Sequence, residues 1–292
     1  MSLRKDGFAM KFTKMHGCGN DYIYFDCTRQ PMDHDRAAQL AVRLSDRHFG
    51  IGGDGIILIE KGKTPDTDFE MVMYNADGSR GAMCGNGIRC VAKYVYDHQL
   101  TDKTTVAIAS MGAVKTIDIQ VENGVAVGAS VDMGAPILDP AVIPVVTDKC
   151  PPVDVPITVD GTDYKMTCVS MGNPHAVVFL DCSPRAFPLE QVGTLFEHHP
   201  CFPDRTNTEF AFVQDRRNIE MRVWERGAGE TLACGTGACA TAVAAILGGY
   251  VDHQVTVHLL GGDLQISWSG QPEDSVRMVG PATTVFSGEI EV

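Results

Sequence analysis

Cys84 and Cys234 stand 150 residues apart, and each opens the same short signature, Cys84-Gly85-Asn86-Gly87 and Cys234-Gly235-Thr236-Gly237. Behind the second lies a small, apolar, Pro-free run, Ala238 to Leu247, closed by Gly248-Gly249. That pattern predicts a helix buried in a protein core, since it is too short to span a bilayer. A thiol at the mouth of such a helix meets unsatisfied N–H groups and the positive end of the dipole, which favour an anion and ease ionisation of sulfur. Four chemistries are open to two such thiols: disulfide exchange, covalent nucleophilic attack, metal ligation, and proton transfer by a pair of bases.

The elements that must position them are also duplicated. Glu70-Met71 recurs as Glu220-Met221 and Ala92 as Ala242, all at the offset of the cysteines. Strand-like alternation precedes each thiol, with Phe69, Met71 and Met73 in one copy and Ile219, Met221 and Val223 in the other. Gly19-Asn20 is echoed by Gly172-Asn173, and an amphipathic helix predicted over 33–48 by one marked by Leu189, Val192 and Leu195. A repeat this long is a duplicated domain, because solenoid units run to roughly 20–50 residues. The stretch Met15 to Asp21, with glycines flanking Cys18, reads as a tight, non-regular turn, and 50–55 as a glycine-rich loop. That loop lacks the Gly-Lys-Ser/Thr of a phosphate loop and precedes a strand. A strongly apolar helix needs covering on all sides. The expected fold class is therefore α+β: two pseudo-symmetric domains, each a curved, mainly antiparallel sheet wrapped around a central apolar helix. Boundaries are expected at 10–130 plus 279–292 for the half carrying Cys84, and 131–278 for the half carrying Cys234.

Composition narrows the partners. The 292 residues are 44% hydrophobic and 21% charged, as in soluble globular chains, and the net charge of −13 argues against nucleic acid or an anionic membrane. No run reaches the length of a membrane span, and Met1 to Ala9 reads as a leader or an expression scar, since patterned sequence starts at Met10. Ten cysteines are too sparse for a disulfide scaffold, so Cys27, Cys90, Cys150, Cys168, Cys182, Cys201 and Cys239 are expected as reduced core thiols. No C-x-x-C pair exists, which leaves a metal site without its usual spacing. No lysine motif for pyridoxal phosphate or nucleotide loop is evident, so cofactor-free chemistry is expected.

If both helix mouths face one small site, two-base proton transfer uses every feature. One thiolate takes a proton from one face of a carbon while the opposite thiol returns one to the other. The N–H groups at 85–87 and 235–237 then stabilise charge on a neighbouring carboxylate.

Five stretches together carry a family resemblance: Lys14-Met15-His16-Gly17 through Gly19-Asn20-Asp21; Asn75-Ala76-Asp77-Gly78-Ser79; Met83-Cys84-Gly85-Asn86-Gly87 through Arg89-Cys90; Gly172-Asn173-Pro174-His175; and Glu225-Arg226-Gly227 through Cys234-Gly235-Thr236-Gly237. In order and spacing, over nearly the whole chain from Met10, they closely resemble the diaminopimelate epimerases. That resemblance implies a pyridoxal-independent conversion of LL- to meso-diaminopimelate, for lysine and peptidoglycan synthesis, by a cytoplasmic enzyme that is usually a homodimer. It makes Cys84 and Cys234 the acid/base pair. Gly85, Asn86, Gly235 and Thr236 would form the carboxylate cradle, and Asn20, Asn75, Asn173, Asn207, Glu225 and Arg226 would hold the substrate's ammonium and carboxylate groups. His175 would tune a neighbouring thiol. Taken alone, Asn75, Asn173 and Asn207 read as turn formers and Glu225–Arg226 as a solvated pair. Many members of the family carry Gln where this chain has Gly55. Proline racemases and hydroxyproline epimerases also use facing cysteines; they typically carry His in place of Asn86 and lack the Glu225-Arg226 pair.

Overall fold

The computed structural model of the chain describes residues 9–81 and 83–291. Most of the expected leader lies outside the described residues, and Ala9 already belongs to the first strand. The chain divides into two compact units, one running to Val131 and resuming at Pro281, the other spanning Asp132–Gly280. No helix among the described residues is long and apolar enough to cross a membrane.

The first unit begins with strands β1 (Ala9–Gly17) and β2 (Asn20–Asp26), helix α1 (His34–Ser45), β3 (Gly55–Lys61), β4 (Phe69–Asn75) and the short β5 (Arg80–Gly81). It continues with α2 (Gly85–Asp97), β6 (Thr105–Ser110), β7 (Ala113–Glu122) and β8 (Val125–Gly134). The second unit holds β9 (Val155–Val159), β10 (Thr162–Ser170), β11 (Pro174–Phe179), α3 (Leu189–Glu197), β12 (Asn207–Asp215), β13 (Asn218–Glu225) and β14 (Gly229–Glu230). After these come α4 (Gly235–Leu247), β15 (Gln254–His258), β16 (Asp263–Ser267) and β17 (Val276–Pro281); β18 (Thr283–Glu291) then returns to pair antiparallel with β1.

Both units follow one plan. Most pairings are antiparallel, but β2–β3 and β4–β6 are parallel in the first unit, as are β11–β12 and β13–β15 in the second. Parallel neighbours need a crossover. Helices α1 and α3 make one in each unit, and α2 and α4 make the other. Strands joined in this way are buried on both faces and read as continuous apolar runs. Ile56, Ile57, Leu58 and Ile59 accordingly have 0% exposure. Helix α1 presents Ala37, Leu40, Ala41 and Leu44 to Ile23, Phe25, Ile56, Leu58 and Val72. In the second unit Leu189 and Phe196 of α3 pack with Ile157, Met166, Val178 and Phe210. Each of the Leu, Ile, Val, Met and Phe side chains among these contributes about 1.5–3 kcal/mol on burial. Helix α4 is buried along nearly its whole length and packs against β10, β11, β12, β15 and β16. Helix α2 packs against β1, β2 and β7.

Several local expectations change. The turn expected over 15–21 contracts to Cys18-Gly19, because β1 and β2 pair as far as Gly17 with Asn20. Both turn residues have positive φ, 52° and 81°, which suits a two-residue hairpin. The helix expected over 33–48 stops at Ser45, since Asp46 turns to accept the amides of His48 and Phe49. On α3, Leu195 is exposed and the buried position is Phe196. Among the cysteines expected in the core, Cys150 and Cys182 are exposed and Cys201 is half-buried, because all three lie in loops.

Candidate active site

Cys84 is the N-cap of α2, in extended conformation (φ −126°, ψ 112°), and its sulfur accepts the Gly87 amide at 3.3 Å. A Cβ at Gly87 would lie 2.8 Å from Ile57 Cδ1, so that side chain would have to shift. The Cys84 thiol donates to Asn20 Oδ1 at 3.1 Å. Asn20 cannot turn, because its Nδ2 donates to Asp54 Oδ2 at 2.7 Å. Asp54, in the glycine-rich loop, also accepts the Asp21 amide at 3.0 Å and Arg47 Nη2 at 3.0 Å. Lys14 and Arg47 both reach Asp21, at 2.6 and 2.7 Å. Burial opposes ionisation of Asp21, yet Arg47 and Lys14 outweigh it and hold the carboxyl below its usual range. His16 supports the hairpin by accepting the Gly19 amide at 3.3 Å.

Asn86 is aimed from below. Arg89, fully buried, donates to Asn86 Oδ1 at 2.8 Å, to the Gly85 carbonyl at 3.0 Å and to the Pro281 carbonyl at 3.2 Å. Asn86 Nδ2 in turn points to Asn20 Oδ1 at 3.5 Å. Tyr22, two residues after Asn20 on β2, is buried, with its ring edge near Gly55. Burial first, then charge on Cys84, lifts its phenol far above the usual value. Asn75 stands opposite Gly55 in the β3–β4 ladder and gives its Nδ2 to Ser79 Oγ at 3.0 Å.

The second mouth repeats the backbone and changes the surroundings. Cys234 caps α4 with φ −116° and ψ 111°, accepts the Gly237 amide at 3.3 Å and lies 3.5 Å from Thr236 Oγ1. Carboxylates now neighbour the thiol. Glu225 accepts from the Thr231 hydroxyl. Burial, followed by the charges of Glu225 and Glu209, pushes the Cys234 thiol well above its ordinary 9.0. Burial likewise raises Glu225, against the hydrogen bond from Thr231.

His175 and Glu209 are both 0% exposed and meet at 2.6 Å through Nδ1 and Oε1, while His175 Nε2 lies 3.1 Å from Asn173 Oδ1. Glu209 Oε2 has no hydrogen-bond partner among the described residues. A Cβ at Gly237 would lie 2.6 Å from Glu209 Oε1, so the carboxylate is pressed against the helix mouth, where the dipole favours it. Asn207 is clamped by its Nδ2 to the Pro174 carbonyl at 2.8 Å and accepts the Arg226 amide at 2.9 Å. The Arg226 side chain is exposed and gives Nη1 to the Asp204 carbonyl at 2.9 Å.

Within the first unit, Asn20, Cys84, Gly85 and Asn86 form one cluster, with Asn75 at the end of β4 opposite Gly55. In the second, Asn173, His175, Asn207, Glu225, Arg226, Cys234, Gly235 and Thr236 gather around the α4 mouth. Each mouth offers a thiol, first-turn amides suited to a carboxylate, and polar side chains of fixed orientation.

The family profile described as diaminopimelate epimerase matches residues 12–138 and 167–285. The chain belongs to the diaminopimelate epimerase family. A relative of that name from Methanococcus maripaludis (strain C5 / ATCC BAA-1333) is 52% identical over 283 residues, covering 97% of this chain and all of the relative. Another, from Agathobacter rectalis, is 53% identical over 291 residues at the same coverage. Among solved structures, a hydroxyproline epimerase from Agrobacterium vitis superposes with a TM-score of 0.71 at 15% identity, covering 99% of this chain and 92% of that one. A methylitaconate-delta-isomerase superposes at 0.67 and 15% identity, over 98% and 96% of the two chains. These two likenesses concern the fold.

Sequence reasoning passed over four residues packed around the candidate site: Tyr22, Asp54, Arg89 and Glu209. Strand parity held a signal for two of them, since Tyr22 follows Asn20, and Glu209 follows Asn207, by two positions on one strand face.

Proposed function

We propose that this chain interconverts LL- and meso-diaminopimelate by cofactor-independent, two-base proton transfer at one α-carbon. The observation that supports this reading is the matched pair of cysteine N-caps, alike in backbone angles and in the glycine amide each sulfur accepts. One cysteine, as thiolate, removes the α-proton; the other, as thiol, delivers a proton to the opposite face. The two sulfurs end in exchanged protonation states, and exchange with solvent restores them. First-turn amides at 85–87 and 235–237, with Asn86 and Thr236, stabilise charge developing on the carboxylate. Asn20, Asn75, Asn173 and Asn207 orient the substrate, Glu225 pairs an ammonium, and Arg226 takes the distal carboxylate bidentately. His175, held between Glu209 and Asn173, tunes a neighbouring thiol. Reduced thiols as acid and base suit a cytoplasmic setting, and a homodimer is the assembly we propose, following the family resemblance.

The test is incubation in heavy water with LL-diaminopimelate and, separately, with L-proline. The expected result is inversion of diaminopimelate alone, with deuterium in the product from its first formation and little in recovered substrate at low conversion. Inversion of proline, or transfer of the original proton into product, would overturn the reading.

A further inference from the structure

An acceptor facing a cysteine favours its thiol form, whereas a donor facing the sulfur favours the thiolate. Asn20 can offer either, because its amide carries an acceptor at one end and donors at the other. The end it turns to Cys84 is the acceptor: the thiol donates to Asn20 Oδ1 at 3.1 Å. Asn86 Nδ2 approaches the same oxygen at 3.5 Å. The Gly87 amide, 3.3 Å from the sulfur, serves the thiolate as well. The orientation of one amide group therefore weights the two protonation states of Cys84.

Asp54 fixes that orientation. Its Oδ2 accepts the Asp21 amide at 3.0 Å, and its Oδ1 accepts Arg47 Nη2 at 3.0 Å. Both partners are groups that only donate, so the carboxylate acts here purely as an acceptor. The end of Asn20 that meets Oδ2 at 2.7 Å must then be Nδ2, which leaves Oδ1 for the thiol. The backbone of Asp54 is pinned too. Its N–H donates to the Asp21 carbonyl at 2.7 Å, and its carbonyl accepts the Ala76 amide at 3.0 Å. Asp54 is thereby tied to β2 on one side and to the turn after β4 on the other.

We propose that Asp54 is a positioning residue acting through Asn20: by holding the amide with Oδ1 toward sulfur, it keeps Cys84 in the thiol form in the resting site. The proposal rests on the acid/base role of Cys84 given above. Other charged and titratable groups nearby have their own partners. Arg89 of α2 donates to Asn86 and to the Gly85 carbonyl, Lys14 of β1 pairs with Asp21, and Tyr24 of β2 donates to the Gly87 carbonyl at 3.4 Å.

The experiment measures Cys84 ionisation apart from turnover. Alkylation by iodoacetamide is followed against pH, with Cys84 modification read from its peptide by mass. Asp54→Asn and Asp54→Ala both remove the charge, but only Asn keeps an oxygen for the Asn20 amide. Asp54→Asn should therefore stay close to wild type. In Asp54→Ala the freed amide can turn its donors to sulfur, and the midpoint should fall by roughly one pH unit, about tenfold more thiolate at neutral pH. In an Asn20→Ala background, Asp54→Ala should move nothing. A midpoint in Asp54→Ala equal to or above that of Asp54→Asn overturns the proposal, as does a shift that persists without Asn20. Should Asp54→Ala lose the wild-type circular dichroism spectrum, the wild-type protein decides. With asparagine labelled by nitrogen-15, the Asn20 side-chain protons should exchange with solvent more slowly than those of exposed asparagines, and exchange at the exposed rate overturns the fixed amide. If Cys84→Ala epimerises at the wild-type rate, the acid/base reading fails instead, while the alkylation midpoints still report on Asp54.

Discussion

Replacing Glu209 by Ala should destabilise the protein by about 2.5 kcal/mol, the sum of two losses and one gain. Glu209 and His175 are fully buried and joined at 2.6 Å. Truncation leaves His175 Nδ1 without its partner, at about 1–3 kcal/mol. It also opens a void against the α4 mouth, where Glu209 Oε1 now occupies the place of a Gly237 side chain; this adds about 2–3 kcal/mol. Against these stands relief of a desolvated carboxylate whose Oε2 has no partner among the described residues, worth about 1–3 kcal/mol. The net lies a little below the range for breaking a buried pair by removing one partner, about 3–5 kcal/mol. Urea unfolding is the assay. Trp224 and Trp268, the only two tryptophans, both lie in the second unit, so their fluorescence reports on the unit that holds the pair. Replacing both partners by apolar residues, Glu209→Leu with His175→Phe, should recover most of the loss, because no buried polar group is then orphaned. A cost below about 1 kcal/mol for Glu209→Ala, or simple additivity in the double variant, would refute the reasoning.

Replacing either Cys84 or Cys234 by Ala should stop epimerisation, read as loss of deuterium uptake into product; near wild-type turnover in either variant would remove the two-base mechanism. Arg226→Ala should lower kcat/KM at least tenfold with an unchanged urea midpoint, since the side chain is exposed and, in the role proposed for it, its binding energy positions the reacting carbon. Gly237→Ala should cost activity and stability together, because its Cβ would fall 2.6 Å from Glu209 Oε1 and 3.2 Å from the Cys234 sulfur; kcat and the urea midpoint are the measurements. Alkali should destabilise the fold. Burial first, then Glu60, raises Cys27 to about 12, and burial raises Cys90 to about 11, while burial and then Glu225 and Glu209 raise Cys234 well above 9.0. A raised folded pKa means that the stability is fully present below the unfolded value of 9.0 and is lost as pH climbs toward the folded value. Each thiol then removes up to about 1.4 kcal/mol per pH unit above 9. The urea midpoint should fall steeply between pH 8.5 and pH 10.5, and Cys27→Ala should flatten the slope.

The sequence alone determined much that depends on local rules. The offset between Cys84 and Cys234 exposed the duplication, and the runs after them called for apolar helices capped at those cysteines, because capping and periodicity act within a few residues. The same local pattern carried the family resemblance, and with it the expected chemistry. Tertiary structure decided what surrounds each sulfur. Nothing in the spacing of Asn20, Asp54 and Cys84 says that the carboxylate locks the amide toward the thiol; that follows from β2 lying parallel to β3 with the loop folded back between them. Likewise His175 meets Glu209 across 34 residues because β11 and β12 are parallel neighbours. Cys84 and Cys234 share a backbone and a signature, yet one thiol donates to an amide and the other feels the charges of Glu225 and Glu209. Proton affinity depends on through-space distance and burial, which a repeat in the sequence does not encode.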